Sequence, residues 1–294
     1  MTIPLRQLEI FEKVAAYGHV TKASEQLFIT QSAVSMAITG LEKFAGAPLF
    51  ERRGKKLLLN DRGRLILEKV QDVLRQVGTI EQLLTESIGE PIGVLKVGAS
   101  TTVGNYLLPA LIARLSEHYP RARALLQVGN TVQIEQALEN GNLDMGIIEG
   151  PSHVRSLETA VWRDDELVVI AGRNHAWAGP RKASKSMLAG APWIVREKGS
   201  GTREVFESAM NRKKINWTAA MELGHTEAIK KAVEAGLGVS CLSRMAVARE
   251  LSHAWLVEVD TPLDLTRNLV ILTREGGYRT ALLNAFLAIL DKSR

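Results

Sequence analysis

Apolar residues recur at three- and four-residue steps through the first stretch of the chain, a spacing that predicts helices. Leu5, Leu8, Phe11, Val14 and Ala15 mark a first helix, with Pro4 in its opening turn and Gly18 near its end. Thr21 is placed to cap a short second helix in which Ala23 and Leu27 share a face. Thr30 caps a third helix running to about Phe44, whose apolar face is Val34, Ala37, Ile38 and Leu41. Its opposite face carries Gln31, Ser32, Ser35, Met36 and Thr39. Leu49, Phe50, Glu51 and Arg52, a turn at Arg53, Gly54 and Lys55, and then Lys56, Leu57, Leu58 and Leu59 predict a β-hairpin with a basic tip. Three helices followed by a basic hairpin make a winged helix-turn-helix over residues 1–60.

From Asp61 the pattern changes. Ile66, Val70, Val73, Val77, Ile80 and Leu84 are spaced as a heptad seam, which predicts a linker helix over 61–90. That stripe either pairs two chains or docks on its own domain, and its length and regularity favour dimerisation. Gly89, Glu90 and Pro91 end the helix.

Beyond Pro91 strand-like and helix-like segments alternate: strands at 92–98, 124–128 and 143–148, with helices at 107–115 and 132–140 between them. A second set follows, with strands at 166–171, 193–195, 218–223 and 239–242 and helices near 203–211 and 226–235. A strand at 269–273 and a helix at 278–292 return to the first set. Alternation of this kind predicts an α/β domain over 91–294, with a parallel-type sheet covered on both faces.

Composition narrows the chemistry. The 294 residues are 46% hydrophobic and 23% charged, ordinary for a globular protein of two or three domains. No apolar run approaches the ~20 residues that span a bilayer, and the first residues lack the plan of a signal peptide, so a cytoplasmic protein with no membrane partner is expected. A net charge of +5 permits a nucleic-acid partner. More telling, Arg52, Arg53, Lys55, Lys56, Arg62 and Arg64 fall close together with one acid, Asp61, among them. A recognition helix needs short polar side chains at its start: glutamine pairs bidentately with adenine and serine bonds several base edges. Thr30, Gln31, Ser32, Ser35, Met36 and Thr39 are therefore the candidate reading residues on double-stranded DNA. Arg52, Arg53 and Lys55 are the candidate phosphate contacts, to which Arg62 and Arg64 stand to add. One winged helix reads few base pairs, whereas a twofold pair reads a palindrome.

In open α/β sheets ligands bind beyond strand ends, near helix starts. Ser100, Thr101 and Thr102 follow the first strand, and Gly199, Ser200, Gly201, Thr202 and Arg203 open another helix. Asn130 with Thr131, and His225, open two more. Plain capping explains any one of these, but several converging on one cleft point to a small-molecule site suited to an anion. Phosphate-binding loop, zinc-protease, nucleophile-elbow and dinucleotide motifs are all missing, so no enzyme, cofactor or metal is expected. Cys241 is the single cysteine; it excludes an internal disulfide and reads as a buried strand thiol. Two rivals stand beside this reading: a solute-binding protein, which the last two-thirds fits, and an enzyme using Cys241 and His225 as nucleophile and base.

The chain resembles the LysR-type transcriptional regulators over essentially its whole length. Thr30, Gln31, Ser32, Ala33, Val34 and Ser35 with Leu41, Glu42, Gly46 and the run Leu49, Phe50, Glu51, Arg52 look like that family's DNA-binding signature. Leu138, Gly141, Leu143 and Asp144 look like the end of its first sensor subdomain. The resemblance implies two α/β lobes similar to type 2 periplasmic binding proteins, with an effector between them. Lobe I would be 91–161 and 268–294, and lobe II 162–267, the chain crossing near 160–163 and 266–268. It also implies a dimer and a homotetramer that bends promoter DNA, with RNA polymerase as a partner. His19, Ser24, Ala45, Asn60 and Arg62 depart from residues common in the family. The loop from Gly199 to Arg203 is most similar to members controlling carbon fixation or sulfur metabolism, which implies sulfite, sulfate or a phosphorylated metabolite as effector.

Overall fold

The computed structural model describes residues 3–54, 56–85, 91–179 and 182–293. The chain divides into two compact units, Met1–Thr85 and Glu86–Arg294.

The first unit contains α1 (Leu5–Tyr17), α2 (Val20–Leu27), α3 (Gln31–Ala45), the antiparallel hairpin β1 (Phe50–Arg53) and β2 (Lys56–Leu59), and α4 (Asp61–Thr85). Glycines in the left-handed region end two helices, Gly18 after α1 and Gly46 after α3. Thr30 caps α3, its hydroxyl accepting from the Ala33 N–H at 3.2 Å. The second helix starts two residues earlier than expected, with His19 rather than Thr21 at its N-cap. Thr21 instead lies in the first turn, where its carbonyl accepts from the buried Ser24 hydroxyl. Phe11, Val14, Val34, Ile38, Leu41, Leu49 and Phe50 form the core, with Phe11 and Phe50 edge to face at 5.4 Å. Glu42 ties the hairpin to α3 by accepting from the Leu49 and Phe50 N–H groups.

Two of the departures from the family pattern belong to the start of α4. Asn60 accepts from the Gly63 N–H and donates to the Pro48 carbonyl, both at 2.8 Å, so it caps the helix and pins the hairpin. Arg62 donates to the Ala45 carbonyl at 2.8 Å, satisfying the C-terminus of α3. The expected seam on α4 divides. Val70 is buried in the unit's own core, with Ile66, Leu67 and Leu74 packed beside it. Val73 and Ile80 remain exposed, 42% and 54%. Docking on its own domain therefore takes the first part of the stripe; the side chain of Leu84, and residues 86–90 of the expected linker, lie outside the described residues.

The second unit runs β3 (Gly93–Ser100), α5 (Thr101–Tyr106), α6 (Leu108–His118), β4 (Ala122–Gly129), α7 (Thr131–Glu139), β5 (Met145–Glu149), β6 (Leu157–Gly172), α8 (Lys185–Gly190), β7 (Trp193–Arg196), α9 (Gly201–Arg212), β8 (Ala219–Leu223), α10 (Thr226–Glu234), β9 (Ser240–Ser243), α11 (Arg244–Ser252), β10 (Leu256–Val259), β11 (Thr266–Arg274) and α12 (Ala281–Asp291). The sequence pattern missed α5, α8, α11 and β10, all short. The main sheet has the order β10-β6-β11-β5-β3-β4, with β9 also on β6; β7 and β8 form a separate pair. It is mixed rather than parallel: β3, β4 and β5 are parallel, while β6 and β11 run antiparallel to each other and to their other partners. The reason is that β6, sixteen residues long, and β11 carry the chain between the lobes in opposite directions. Lobe I has Leu95, Val97, Met145 and Phe286 on one face of its sheet and Ile134, Leu138 and Ile148 on the other. In lobe II, Trp193, Phe206 and Val239 form one layer and Ile170, Ile194 and Val233 the other. No helix among the described residues is long and apolar enough to cross a membrane.

A Cβ on Gly63 would sit 2.2 Å from the Leu49 carbonyl oxygen. Gly63→Ala should therefore push α4 off the hairpin and cost ~1–3 kcal/mol, read as a lower thermal midpoint of the first unit's unfolding step.

Candidate nucleic-acid interface and interlobe site

The buried side of α3 is the apolar stripe Val34, Ala37, Ile38 and Leu41, and this fixes what its other side presents. Gln31, Ser32, Ser35, Met36 and Thr39 are all exposed, as is Thr30, whose hydroxyl lies 2.9 Å from that of Ser32. Over residues 31–39 no formal charge stands on this face; Lys43, exposed one turn beyond Thr39, is the first cation on it. Charge is carried next door, where Arg52 and Arg53 are exposed on β1 and, among the described residues, make no ion pair. Lys55, also expected there, lies outside the described residues. Arg62 and Arg64 are exposed but also bonded within the unit. Arg62 holds the Ala45 carbonyl, and Arg64 bonds the Leu59 carbonyl at 2.7 Å and pairs with Asp61. An uncharged, hydrogen-bonding first half of a helix beside a cationic hairpin is an arrangement suited to reading bases with one and holding phosphates with the other.

In the second unit the helix starts picked out above meet between the lobes. The Gly201 N–H donates to Thr131 Oγ1 at 3.2 Å, and a Cβ on Gly201 would be 2.3 Å from the Glu149 carbonyl oxygen, so the lobes touch here. Thr101 accepts from Arg196 at 3.1 Å across the same gap. The centre is Arg267, 6% exposed, on β11. It pairs with Asp165 at 2.6 Å, lies 3.8 Å from Glu149, and donates to Thr202 at 3.0 Å and Thr102 at 3.5 Å. Asp165 also accepts from Ser243, and Glu149 accepts from the Thr102 N–H at 3.1 Å. A cavity of about 560 Å³ opens beside Arg267, walled by Gly150, Ser152, Val161, Glu204 and Asn268.

Two side chains in this region are unmatched. Ser100 and Ser200 are buried, and neither Oγ has a hydrogen-bond partner among the described residues. They occupy the N-cap positions of α5 and α9, yet neither makes a side-chain capping bond. Leaving a buried hydroxyl unmatched costs about 1–3 kcal/mol.

Other expected contributors are engaged elsewhere. Arg203 forms ion pairs with Glu207 and Glu222 and donates to the Arg196 carbonyl at 3.0 Å, so its charge is neutralised within lobe II. Burial alone would lower its pKa, but the two carboxylates raise it overall. Asn130 makes a capping box with Gln133, which is plain helix capping. His225 is exposed at the start of α10 and makes no side-chain capping bond. Sequence reasoning missed Arg267, Asp165, Glu149 and Arg196. The available signal was a lone arginine entering the apolar strand Leu269, Val270, Ile271, Leu272, opposite the acidic run Asp164, Asp165, Glu166.

Both units match known families. Residues 5–64 match the model described as bacterial regulatory helix-turn-helix protein, lysR family, and residues 89–294 match the LysR substrate binding domain. This chain is a LysR-type transcriptional regulator. It is 43% identical over 293 residues to the uncharacterised HTH-type transcriptional regulator YeiE of Escherichia coli K12, covering 99% of this chain and 98% of that protein. To the HTH-type transcriptional activator CmpR of Synechocystis it is 32% identical over 287 residues, 97% of this chain and 94% of the other. Its fold is similar to that of the Synechocystis CcmR regulatory domain, solved in complex with 2-PG. That likeness has a TM-score of 0.64 at 30% identity and covers 68% of this chain and 97% of the CcmR chain. These relatives are regulators rather than enzymes or solute carriers.

The regulator's single thiol fits that reading. Cys241 sits in β9, paired with Val169, and burial pushes it from its ordinary value near 9 up to about 12, against a small opposing effect of Arg267. It stays protonated at neutral pH and is a poor nucleophile. Alkylating reagents should leave the folded protein unmodified at pH 7.5 and label one site after unfolding. Because the folded thiol is the weaker acid, its contribution to stability is complete below about pH 9 and falls as pH rises toward 12, the unfolded chain ionising first. Rapid labelling of the native chain would contradict this.

Proposed function

We propose that this regulator reads its operator with α3 and is switched by a small, proton-bearing oxyanion held between the lobes. Gln31, Ser32 and Ser35 hydrogen-bond base edges, while Arg52, Arg53 and Lys55 hold phosphates. Two chains pair through the face of α4 that carries Val73, Val77 and Ile80, and two pairs make a tetramer that bends promoter DNA and contacts RNA polymerase in the cytoplasm. Support for the division of roles comes from the absence of charge on the outward face of α3 over residues 31–39 and the exposed arginines of the hairpin.

The effector reading rests on one observation: the unmatched hydroxyls of Ser100 and Ser200 at two helix starts of opposite lobes. Both donate to an oxyanion, and the positive ends of α5 and α9 favour its charge. The cluster also sets a condition on the ligand. Arg267 faces two buried carboxylates, Asp165 and Glu149, so a fully deprotonated anion would meet uncompensated negative charge. A singly protonated oxyanion avoids this by donating its own O–H to Glu149. Hydrogensulfite and phosphorylated acids meet the condition near neutral pH; sulfate does not. The 2-PG bound to the related CcmR domain is of the second kind and supports the choice.

Two measurements test the function. Gln31→Ala should cost ~1–3 kcal/mol of operator binding and relax specificity at one base pair, whereas Arg53→Ala should weaken all sequences alike and reduce the salt slope by about one. Identical behaviour of the two variants in fluorescence anisotropy across a salt series would refute the division. Calorimetric titration of the intact protein should show sulfite or 2-PG binding more tightly than sulfate, more tightly at pH 6.5 than at 8.5, and at least tenfold more weakly to Ser200→Ala. No heat from any of the three anions would sink the effector reading.

A further inference from the structure

Phe28 ends α2 in the left-handed region, with φ 55°, and its side chain is 95% exposed. Each feature is unfavourable. Left-handed backbone is strained for a bulky residue, and a ring wholly in water gains nothing from burial. Asparagine or glycine satisfies such a position without either penalty. The backbone here is also held in place: the Phe28 N–H donates to the Glu25 carbonyl at 3.3 Å, and the Ile29 N–H to that of Ser24 at 3.1 Å. Its neighbours Leu27 and Ile29 pack against the core, which turns Phe28 outward.

Only Ile29 and Thr30 lie between Phe28 and Gln31, so their Cα atoms are at most about 11 Å apart. Phe28 therefore stands exposed in the turn that leads into the first turn of α3, where Thr30, Gln31 and Ser32 are exposed as well. Met36, 74% exposed, is a second apolar side chain on that same helix. Gln31, Ser32 and Ser35 read hydrogen-bonding groups, but none of them reads the one apolar group at the floor of the major groove, the thymine C5-methyl.

We propose that Phe28 is a specificity-determining residue whose ring packs on a thymine C5-methyl at the edge of the half-site. The proposal rests on α3 being the recognition helix. An aromatic ring in the turn before the helix then extends the reading frame by a base step that the helix itself does not cover, which accounts for both unfavourable features at one position.

The test uses the full-length protein and an operator that it selects from randomised DNA, with binding read by fluorescence anisotropy at fixed salt. Thymines are replaced singly by uracil, which removes the methyl and leaves the hydrogen-bonding pattern intact. Wild type should lose about fourfold in affinity at one thymine per half-site, the equivalent of one buried methyl. Phe28→Asn should bind the unmodified operator about tenfold more weakly and be indifferent to that same uracil. Its thermal midpoint should match or exceed wild type, because asparagine accepts the left-handed turn; Phe28→Leu should retain part of the methyl dependence. A flat uracil scan for wild type overturns the proposal, as does a scan that Phe28→Asn leaves unchanged. Undiminished operator binding by Phe28→Asn also overturns it, and if oligomeric state changes with it, the ring covers another copy of the chain instead. Failure of wild type to select any operator overturns the reading of α3 itself, and this proposal with it.

Discussion

The sensor unit depends on a buried ion pair between Arg267 and Asp165, set where two long antiparallel strands pass from one lobe to the other. A guanidinium and a carboxylate removed from water are costly to bury, and the cost is recovered only if every remaining hydrogen-bonding atom is satisfied. Here Ser243 takes one oxygen of Asp165, while Thr202 and Thr102 take guanidinium N–H groups. Those two threonines lie in the first turns of α9 and α5, one in each lobe. The pair therefore does more than close the strands: it reaches the two helix starts at which an effector would bind. A ligand that moves either start must repartition the hydrogen bonds of Arg267, which gives the site a physical route to the angle between the lobes.

The DNA-binding unit is built on the opposite principle, with its chemistry left in water. Val34, Ala37, Ile38 and Leu41 of α3 are used up in packing, and its exposed polar positions over residues 31–39 are neutral. Phosphate attraction is indifferent to sequence and weakens steeply with salt, whereas base-edge hydrogen bonds discriminate. With cations on the hairpin and none on the first half of the helix's outward face, affinity and specificity would be set by different residues. The arginines that follow the hairpin have a structural task as well: Arg62 and Arg64 satisfy backbone carbonyls. They brace α3 and the hairpin while their guanidinium groups stay exposed.

What could be read from the sequence follows from how local each interaction is. Helix spans in the first unit, the Thr30 cap and the buried stripe of α3 depend on neighbours within a few residues, and the periodicity carries them. Arg203 was misread because its partners, Glu207 one turn away and Glu222 nineteen residues on, only become a neutralising cage once α9 and β8 are side by side. Arg267 was invisible for the same reason on a longer scale: it meets Thr102 across 165 residues of chain. The seam on α4 shows a third limit. A heptad stripe specifies that something covers it, but Val70 is covered by its own domain while Val73 and Ile80 are not, and the spacing is the same for both.

Ser100 and Ser200 complete the argument about switching. An unmatched buried hydroxyl is tolerated at a penalty, and two of them at one junction destabilise the arrangement in which the lobes touch. If a ligand satisfies both only when the lobes stand this way, its affinity differs between the lobe angles by the amount recovered. Two hydroxyls at about 1–3 kcal/mol each give a differential of about 2–6 kcal/mol, and the upper part of that range approaches the ~5.5 kcal/mol needed to carry a two-state equilibrium from one extreme to the other. The same two atoms would then supply both recognition of the effector and the energy of the response, with no separate transmission device required.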